Sequence, residues 1–296
     1  MGQVEMDAEL KKVVSQIDDL PTLPAVVTRI IGMVEDPSTS AEDLNKVISQ
    51  DPSLTAKVLK LVNSAFYGFS RRISTVTEAV VILGFNTVKS LAVSASVFEV
   101  FEGGGSRRFD RVGMWEHSIA TGVGAEMIGK RIRYPNVEEI MVAGILHSIG
   151  KVVIDLYMQD KVEQILDYVK TNKCSMLEAE RDIIGVDHPR IGGWLAEQWN
   201  LPDNIVTAIR FYHQPREAPE DKRTLPMLIH IGDILARTKN IGWTGDSEIP
   251  PFREENWKEL GVEEEDIKDI LNQLEDRMDN ADAFLEMSEN SDGDDS

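Results

Sequence analysis

Apolar residues recur at spacings of three and four along nearly the whole chain. Between Leu23 and Val34, the positions Val26, Val27, Ile30, Ile31 and Val34 trace one face of a helix. Asp36-Pro37-Ser38 interrupts the pattern with a turn signal. Ser40, with Asp43 three residues on, has the form of a capping box in which Asp stands where Glu is usual. It opens a helix carrying Leu44, Val47 and Ile48. Asp51-Pro52 restarts the chain, because aspartate is a good N-cap and proline suits the first helical position. The next helix carries Leu54, Val58, Leu61 and Val62 and ends near Asn63-Ser64, before a turn at Gly68. Thr75 with Glu78 predicts another capped start, followed by Ala79, Ile82 and Leu83. Gly84 breaks that helix, and Asn86 is placed to cap the next, through Val88, Leu91 and Val97.

Gly103-Gly104-Gly105-Ser106 reads as a linker. Beyond it the helical period continues over about 111–131, 137–149, 161–170, 176–184, 189–199, 203–213 and 225–239. Strand-like alternation is nearly absent, and no repeat of fixed period is evident. The stretch 243–257 is irregular, with Pro250-Pro251, an acidic helix is predicted over about 263–280, and Ser288 to Ser296 is too polar to fold alone. The expectation is an all-α protein in two helical subdomains: an N-terminal extension over 1–14, a first subdomain over 15–102, a Gly-rich linker over 103–110, a second subdomain over 111–242, and an irregular, acidic and finally disordered remainder over 243–296.

Charge narrows the function. The 296 residues include 31 Lys and Arg against 51 Asp and Glu, a net of −20. Fourteen of the acids and two of the bases fall between Glu263 and Ser296, so the body is only mildly acidic. That balance opposes binding to nucleic acid, which needs cations against phosphate, and docking on anionic membranes. The single cysteine, Cys174, excludes an intramolecular disulfide and a cysteine-rich zinc module. Met1 to Leu10 carries no continuous apolar segment, and no apolar run approaches 18 residues; Ala79 to Phe85 is seven long. A cytoplasmic location is expected.

All five histidines lie in the second half: His117, His147, His188, His213 and His230. His188 precedes Pro189 at a helix mouth. His213 follows Ile209 by about one turn, on the apolar face, and His230 and Asp233 are three apart and share a face. Neutral imidazole and carboxylate are suitable ligands for zinc, manganese or iron, and helices that deliver His and Asp inward build such sites in bundle cores.

The order of these residues resembles the HD superfamily of metal-dependent phosphohydrolases. The resemblance implies that the first ligand is His117, that the His-Asp pair is His147 with Ser148, that the two extra histidines of the HD-GYP branch are His188 and His213, and that the final Asp is Asp233. A divalent ion (Fe, Mn, Zn or Ni) is the implied cofactor. Lys151, in His147-Ser148-Ile149-Gly150-Lys151, matches a lysine that resembles a phosphate-contacting group, and His230 is expected to be a neighbour of the site. Two departures stand out. Ser148 puts a neutral hydroxyl where the family has a bridging carboxylate, and the Gly-Tyr-Pro segment is missing, since Gln214-Pro215-Arg216-Glu217 follows His213. The stretches Leu20-Pro21-Thr22-Leu23-Pro24, Ile48-Ser49-Gln50-Asp51-Pro52-Ser53-Leu54, Val62-Asn63-Ser64-Ala65-Phe66-Tyr67 and Glu78-Ala79-Val80-Val81-Ile82-Leu83-Gly84 resemble the HDOD family over about residues 15–240. That family's members are bacterial regulatory relatives of the phosphohydrolases that commonly lack the full catalytic set. The second subdomain is then the HD-like bundle.

Other motifs have simpler readings. Asn63-Ser64 suits a helix end, where such side chains bond local backbone. Trp115, Trp194 and Trp199 suit the core. Arg71-Arg72 and Arg107-Arg108 suit a solvated face, although either pair could meet a phosphate or an acidic partner. The helices flanking Gly84 are too apolar for DNA recognition. The acidic end reads as a solubilising extension or as a mimic that binds a basic partner. The expected function is a non-catalytic signal-transduction module that binds a signalling protein or a small nucleotide-like ligand. The alternative is a metal-dependent phosphohydrolase acting on a nucleotide or cyclic dinucleotide.

Overall fold

Helix follows helix in the computed structural model, which describes residues 22–33, 39–69, 71–101, 105–246, 249–250 and 254–279, with Val14, Ala281, Phe284 and Glu286. The first half holds α1 (Ala25–Gly32), α2 (Ala41–Ile48), α3 (Pro52–Val62), α4 (Val76–Leu83) and α5 (Phe85–Val100). The second holds α6 (Arg111–Arg131), α7 (Val137–Leu146), α8 (Ile149–Tyr157), α9 (Gln159–Asn172), α10 (Met176–Ile184), α11 (His188–Gln198), α12 (Asp203–Phe211) and α13 (Thr224–Thr238). Then come α14 (Glu254–Glu259) and α15 (Glu264–Asp279). No strand occurs among the described residues. The expected N-terminal extension lies outside them apart from Val14.

The local signals act as their chemistry requires. Ser40 and Asp43 form a reciprocal capping box. The Asp51 side chain accepts from the Leu54 N–H at 3.0 Å, with Pro52 in the first helical position. Thr75 accepts from the Glu78 N–H, but the Glu78 carboxylate reaches the N–H of Ser74, one residue before the cap. Asn63 holds the end of α3 by donating to the Leu59 and Ile73 carbonyls and accepting from the Ile73 N–H. Three expectations are corrected. The stretch 243–257 is not irregular throughout, since α14 begins at Glu254. Asn86 does not cap α5, which already begins at Phe85, with Gly84 supplying the carbonyl that accepts from Val88. The helix expected over 137–149 stops at Leu146, and a separate α8 follows a break at His147-Ser148. Val137–Tyr157 has the length and hydropathy of a membrane span, but 89% of its most apolar window is buried inside the protein and the break divides it.

The two halves share one continuous apolar core. Phe98 packs edge-on against Trp115 at 4.9 Å between ring centroids, and Phe101 lies 5.9 Å from Trp199. Trp115, Trp194 and Trp199 are all buried. The described end of the expected linker is anchored rather than loose. The Ser106 N–H donates to Asp155 at 2.8 Å, Phe109 is buried, and Arg108 pairs with Glu163 and Asp167. Apolar and charged partners on α8 and α9 therefore override the composition of that stretch.

Within the second half, α6 is the axis, packed against α7 on one side and α13 on the other. The crossing with α7 depends on Gly122 and Gly144: a Cβ on Gly144 would stand 2.2 Å from the Gly122 Cα. Gly144→Ala is expected to lower the unfolding free energy by about 1–3 kcal/mol through overpacking, read as a drop in the urea midpoint. Gly32, with nothing within 4 Å of its Cβ direction, is the control, where alanine should be neutral or stabilising. Equal effects at the two sites would refute the close crossing.

Candidate functional site

The close crossings bring three side chains together at the centre of the bundle. His117 comes from α6, His147 from the break after α7, and Asp233 from α13, and all three are buried. One ligand atom from each lies within 4.8 Å of the others. His117 Nε2 is 2.8 Å from Asp233 Oδ1, and His117 Nδ1 is 3.2 Å from the Ile241 carbonyl. His147 Nδ1 donates to the Gly144 carbonyl at 2.6 Å. Its Nε2 therefore presents a lone pair, 3.8 Å from Asp233 Oδ1 and with no hydrogen-bond partner. Burial pulls the His147 pKa down to about 3 against the attraction of Asp233, so the ring is neutral, as a ligand must be.

The donor set thus fits one cation, yet the protein supplies its own. Arg237, one turn beyond Asp233 on α13, sends Nε to both carboxylate oxygens at 3.0 and 2.9 Å. Burial alone would raise the Asp233 pKa, but Arg237 and His117 more than reverse it and hold the carboxyl well below its ordinary value. Arg237 Nη1 also donates to Asp246 at 2.6 Å, and Asp246 in turn accepts from the Met176 N–H.

His188 and His213 form a second group. The His188 main-chain N–H and Nδ1 both donate to Glu180 at 2.7 Å, so His188 Nε2 is the acceptor for the Tyr212 hydroxyl at 2.6 Å. His213 Nε2 lies 3.3 Å from His188 Nε2. The Tyr212 ring stands edge-on to His147 at 4.8 Å, and its hydroxyl hydrogen-bonds with the Ser148 side chain. Ser148 therefore makes no cap for α8. Gly150 lets α11 come this close, since a Cβ there would stand 2.0 Å from the His188 carbonyl oxygen.

The structure thus divides the five sequence-derived ligand positions. His117, His147 and Asp233 converge, whereas Tyr212 separates His188 and His213 from them. Lys151, expected as a phosphate contact, is 1% exposed and donates to the Thr244 carbonyl at 2.8 Å, with Asp246 4.0 Å away. Burial of that amine is satisfied from within the chain, and a phosphate does not reach it in this arrangement. His230 is buried on α13 and lies outside the three-residue group. Sequence reasoning missed Arg237, Tyr212, Glu180 and Asp246. Arg237 carried a usable signal, being four residues from Asp233 on one helix, and Tyr212 adjoins His213. Glu180 and Asp246 gave none, because a charge bound for the interior looks like any surface charge in sequence.

An all-helical bundle that gathers His, His and Asp at its centre beneath an N-terminal helical layer defines the class. The sequence profile of the HDOD domain matches residues 20–215, and the chain belongs to that family. It is 29% identical over 248 residues to an uncharacterized protein of Treponema pallidum (strain Nichols), covering 80% of this chain and 46% of that one. The chain thus spans about half the length of this relative. Among solved structures, an HDOD domain protein of Geobacter sulfurreducens superposes with a TM-score of 0.79 at 25% identity, covering 94% of this chain and 96% of that one. A provisionally assigned signal transduction protein of Marinobacter aquaeolei VT8 shares the fold at 0.74 and 24%, covering 97% and 67%.

Proposed function

We propose that the chain is a non-catalytic regulatory module that binds a signalling protein or a small nucleotide-like ligand. The observation that supports this most is the hold of Arg237 on both oxygens of Asp233, next to a site where Ser148 replaces a carboxylate. A hard divalent ion prefers anionic oxygen, and here the remaining carboxylate is already neutralised. Tyr212 fills the space between the two histidine groups. Burial raises its pKa well above the ordinary value, so it stays a neutral hydroxyl donor to His188.

The test is turnover. The purified full chain, supplied with Mn2+ or Fe2+ and a panel of phosphodiesters and nucleotides, is expected to release no product. Metal-dependent turnover that His147→Ala abolishes would overturn the reading and establish a phosphohydrolase.

That second reading has one observation in its favour, the partnerless Nε2 of His147 facing Asp233. A divalent ion held by His117, His147 and Asp233 would supply Lewis acidity toward a phosphoryl oxygen. The chain's own part would be to orient His147 through the Gly144 carbonyl and to move Arg237 off Asp233. Two variants separate the readings. Ser148→Asp, which adds an anionic oxygen, and Arg237→Met, which frees Asp233, are each expected to tighten Mn2+ binding by about tenfold, or roughly 1.4 kcal/mol, in isothermal titration. Unchanged affinity in both would show that neither residue limits metal binding.

A further inference from the structure

Away from the histidine bundle, a cavity of about 1030 Å3 opens beside α3, the turn that follows it and the end of α15. Its wall includes Leu59, Phe69 and Ile73, and it carries Lys60, Arg71 and Arg72. In a chain of net charge −20, three cations against two lining carboxylates, Asp279 and Glu286, leave this cleft one positive charge. Glu78 pairs with Arg71 at 3.0 Å, whereas Arg72 forms no ion pair with any described residue. The chain itself comes to the mouth of this cleft. Phe284 is fully buried and packs edge-on against Phe66, with ring centroids 5.8 Å apart, and Glu286 forms an ion pair with Lys60. Residues 287–296 follow at once, with Glu289, Asp292, Asp294 and Asp295 and no Lys or Arg. Ten residues reach up to about 33 Å when extended, enough to cross a cavity of this size.

We propose that this cleft is a docking site for an acidic peptide segment and that residues 287–296 of the same chain are its occupant. Phe284 is the apolar anchor and Glu286 the first acid of the series, so the next acids are delivered to Arg72 and Arg71. Tethering raises the local concentration of the tail to the order of millimolar, so weak, exposed ion pairs suffice to hold it, and salt releases it. An acidic segment from another protein reaches the cleft only by displacing the tail. The phosphohydrolase question does not enter, because none of these residues belongs to the histidine bundle.

The experiment uses the full chain with Cys174→Ser and Ser291→Cys, a nitroxide label on the new cysteine and 15N amides. Line broadening of the Lys60, Arg71 and Arg72 amides is expected at low salt. Lys60 lies near the tether and is broadened in any state, so the readout is Arg71 and Arg72. Their broadening should fall severalfold relative to Lys60 in about 0.5 M salt, where the Debye length is only a few ångströms, and in Arg71→Glu/Arg72→Glu, with the circular dichroism spectrum unchanged. No broadening at positions 71 and 72 in the parent, or broadening there that survives both charge reversal and salt, overturns the proposal. Broadening of unlabelled 15N chains by spin-labelled 14N chains, with none within one chain, assigns the tail to a second copy and also overturns it. The salt titration reads the parent protein, so the test stands even if the charge-reversed variant fails to fold.

Discussion

Replacing Asp155 with alanine is expected to lower the unfolding free energy by about 3–5 kcal/mol, the cost of leaving a buried charge without its partner. Asp155 is completely buried on α8, and Arg111, 5% exposed, opens α6. The Arg111 Nη2 to Asp155 Oδ2 distance is 2.5 Å, and Arg111 Nη1 donates to the Phe101 carbonyl at 3.2 Å. Asp155 Oδ1 accepts the Ser106 N–H. One carboxylate thus joins the last turn of the first half, the connection after it and two helices of the second. The double replacement Asp155→Leu/Arg111→Met removes both charges and should recover much of the loss, because a buried pair exchanged for packed apolar groups is often close to neutral. Urea unfolding followed by tryptophan fluorescence measures all three proteins. A single-variant loss below about 1 kcal/mol would mean that water reaches the pair and that the junction is looser than drawn.

The same junction marks the limit of what composition discloses. Glycines 103–105 look like a flexible connection at a subdomain boundary. The residues that pin the described end of it, Asp155 and Glu163, lie about 50 and 57 positions away in sequence. Pairings over such distances leave no local trace. Helices were legible because each carries its own evidence in a repeating apolar face: α6 and α10 fall at their expected positions, Arg111–Arg131 and Met176–Ile184. One exception is α8. Seven of its nine residues are buried, so periodicity does not separate it from the apolar run of α7, and the break at His147-Ser148 is set by tertiary contacts.

The site divides along the same line. His117, His147 and Asp233 were legible as ligand types in an order, and the helices do bring them together. What decides their chemistry was not legible, because it depends on which neighbours are turned inward. Arg237 faces Asp233 rather than solvent, Lys151 faces Thr244, and Tyr212 inserts between His147 and His188. Each would be an ordinary surface or core residue if its helix were rotated by a quarter turn.

Those buried groups make the fold sensitive to mild acid. Burial holds His147 and His213 near a pKa of about 3 and His188 well below its ordinary value, with Lys151 adding to the effect on His188. Unfolded, each histidine titrates near about 6.5. Above that pH both states are neutral and stability does not change with pH on their account. Below it the unfolded chain takes up protons that the folded chain refuses, so stability falls by about 1.4 kcal/mol per pH unit for each histidine. Glu180 acts in the opposite sense. Burial raises its carboxyl well above the ordinary value, so the folded chain keeps a proton that the unfolded chain has released above about pH 4.3, which offsets one histidine. Asp233 and Asp246, both held low, change the balance only below about pH 3.9. His213 is only partly buried by surface area and contributes less than a full share. The net slope between pH 6.5 and 5 is then about 1.4–2.7 kcal/mol per unit, with stability lost as pH falls. Between pH 8 and 7 the histidines are silent, Glu180 adds stability as the pH falls and Lys151, whose amine burial pushes down, opposes it; from about pH 6.5 to pH 5 urea midpoints should drop. His188→Asn, which cannot take up the proton in either state, should flatten the drop by the share of one histidine. A level profile down to pH 5 in the parent would show that the histidine cluster takes up protons as readily folded as unfolded, and that it is hydrated rather than dry.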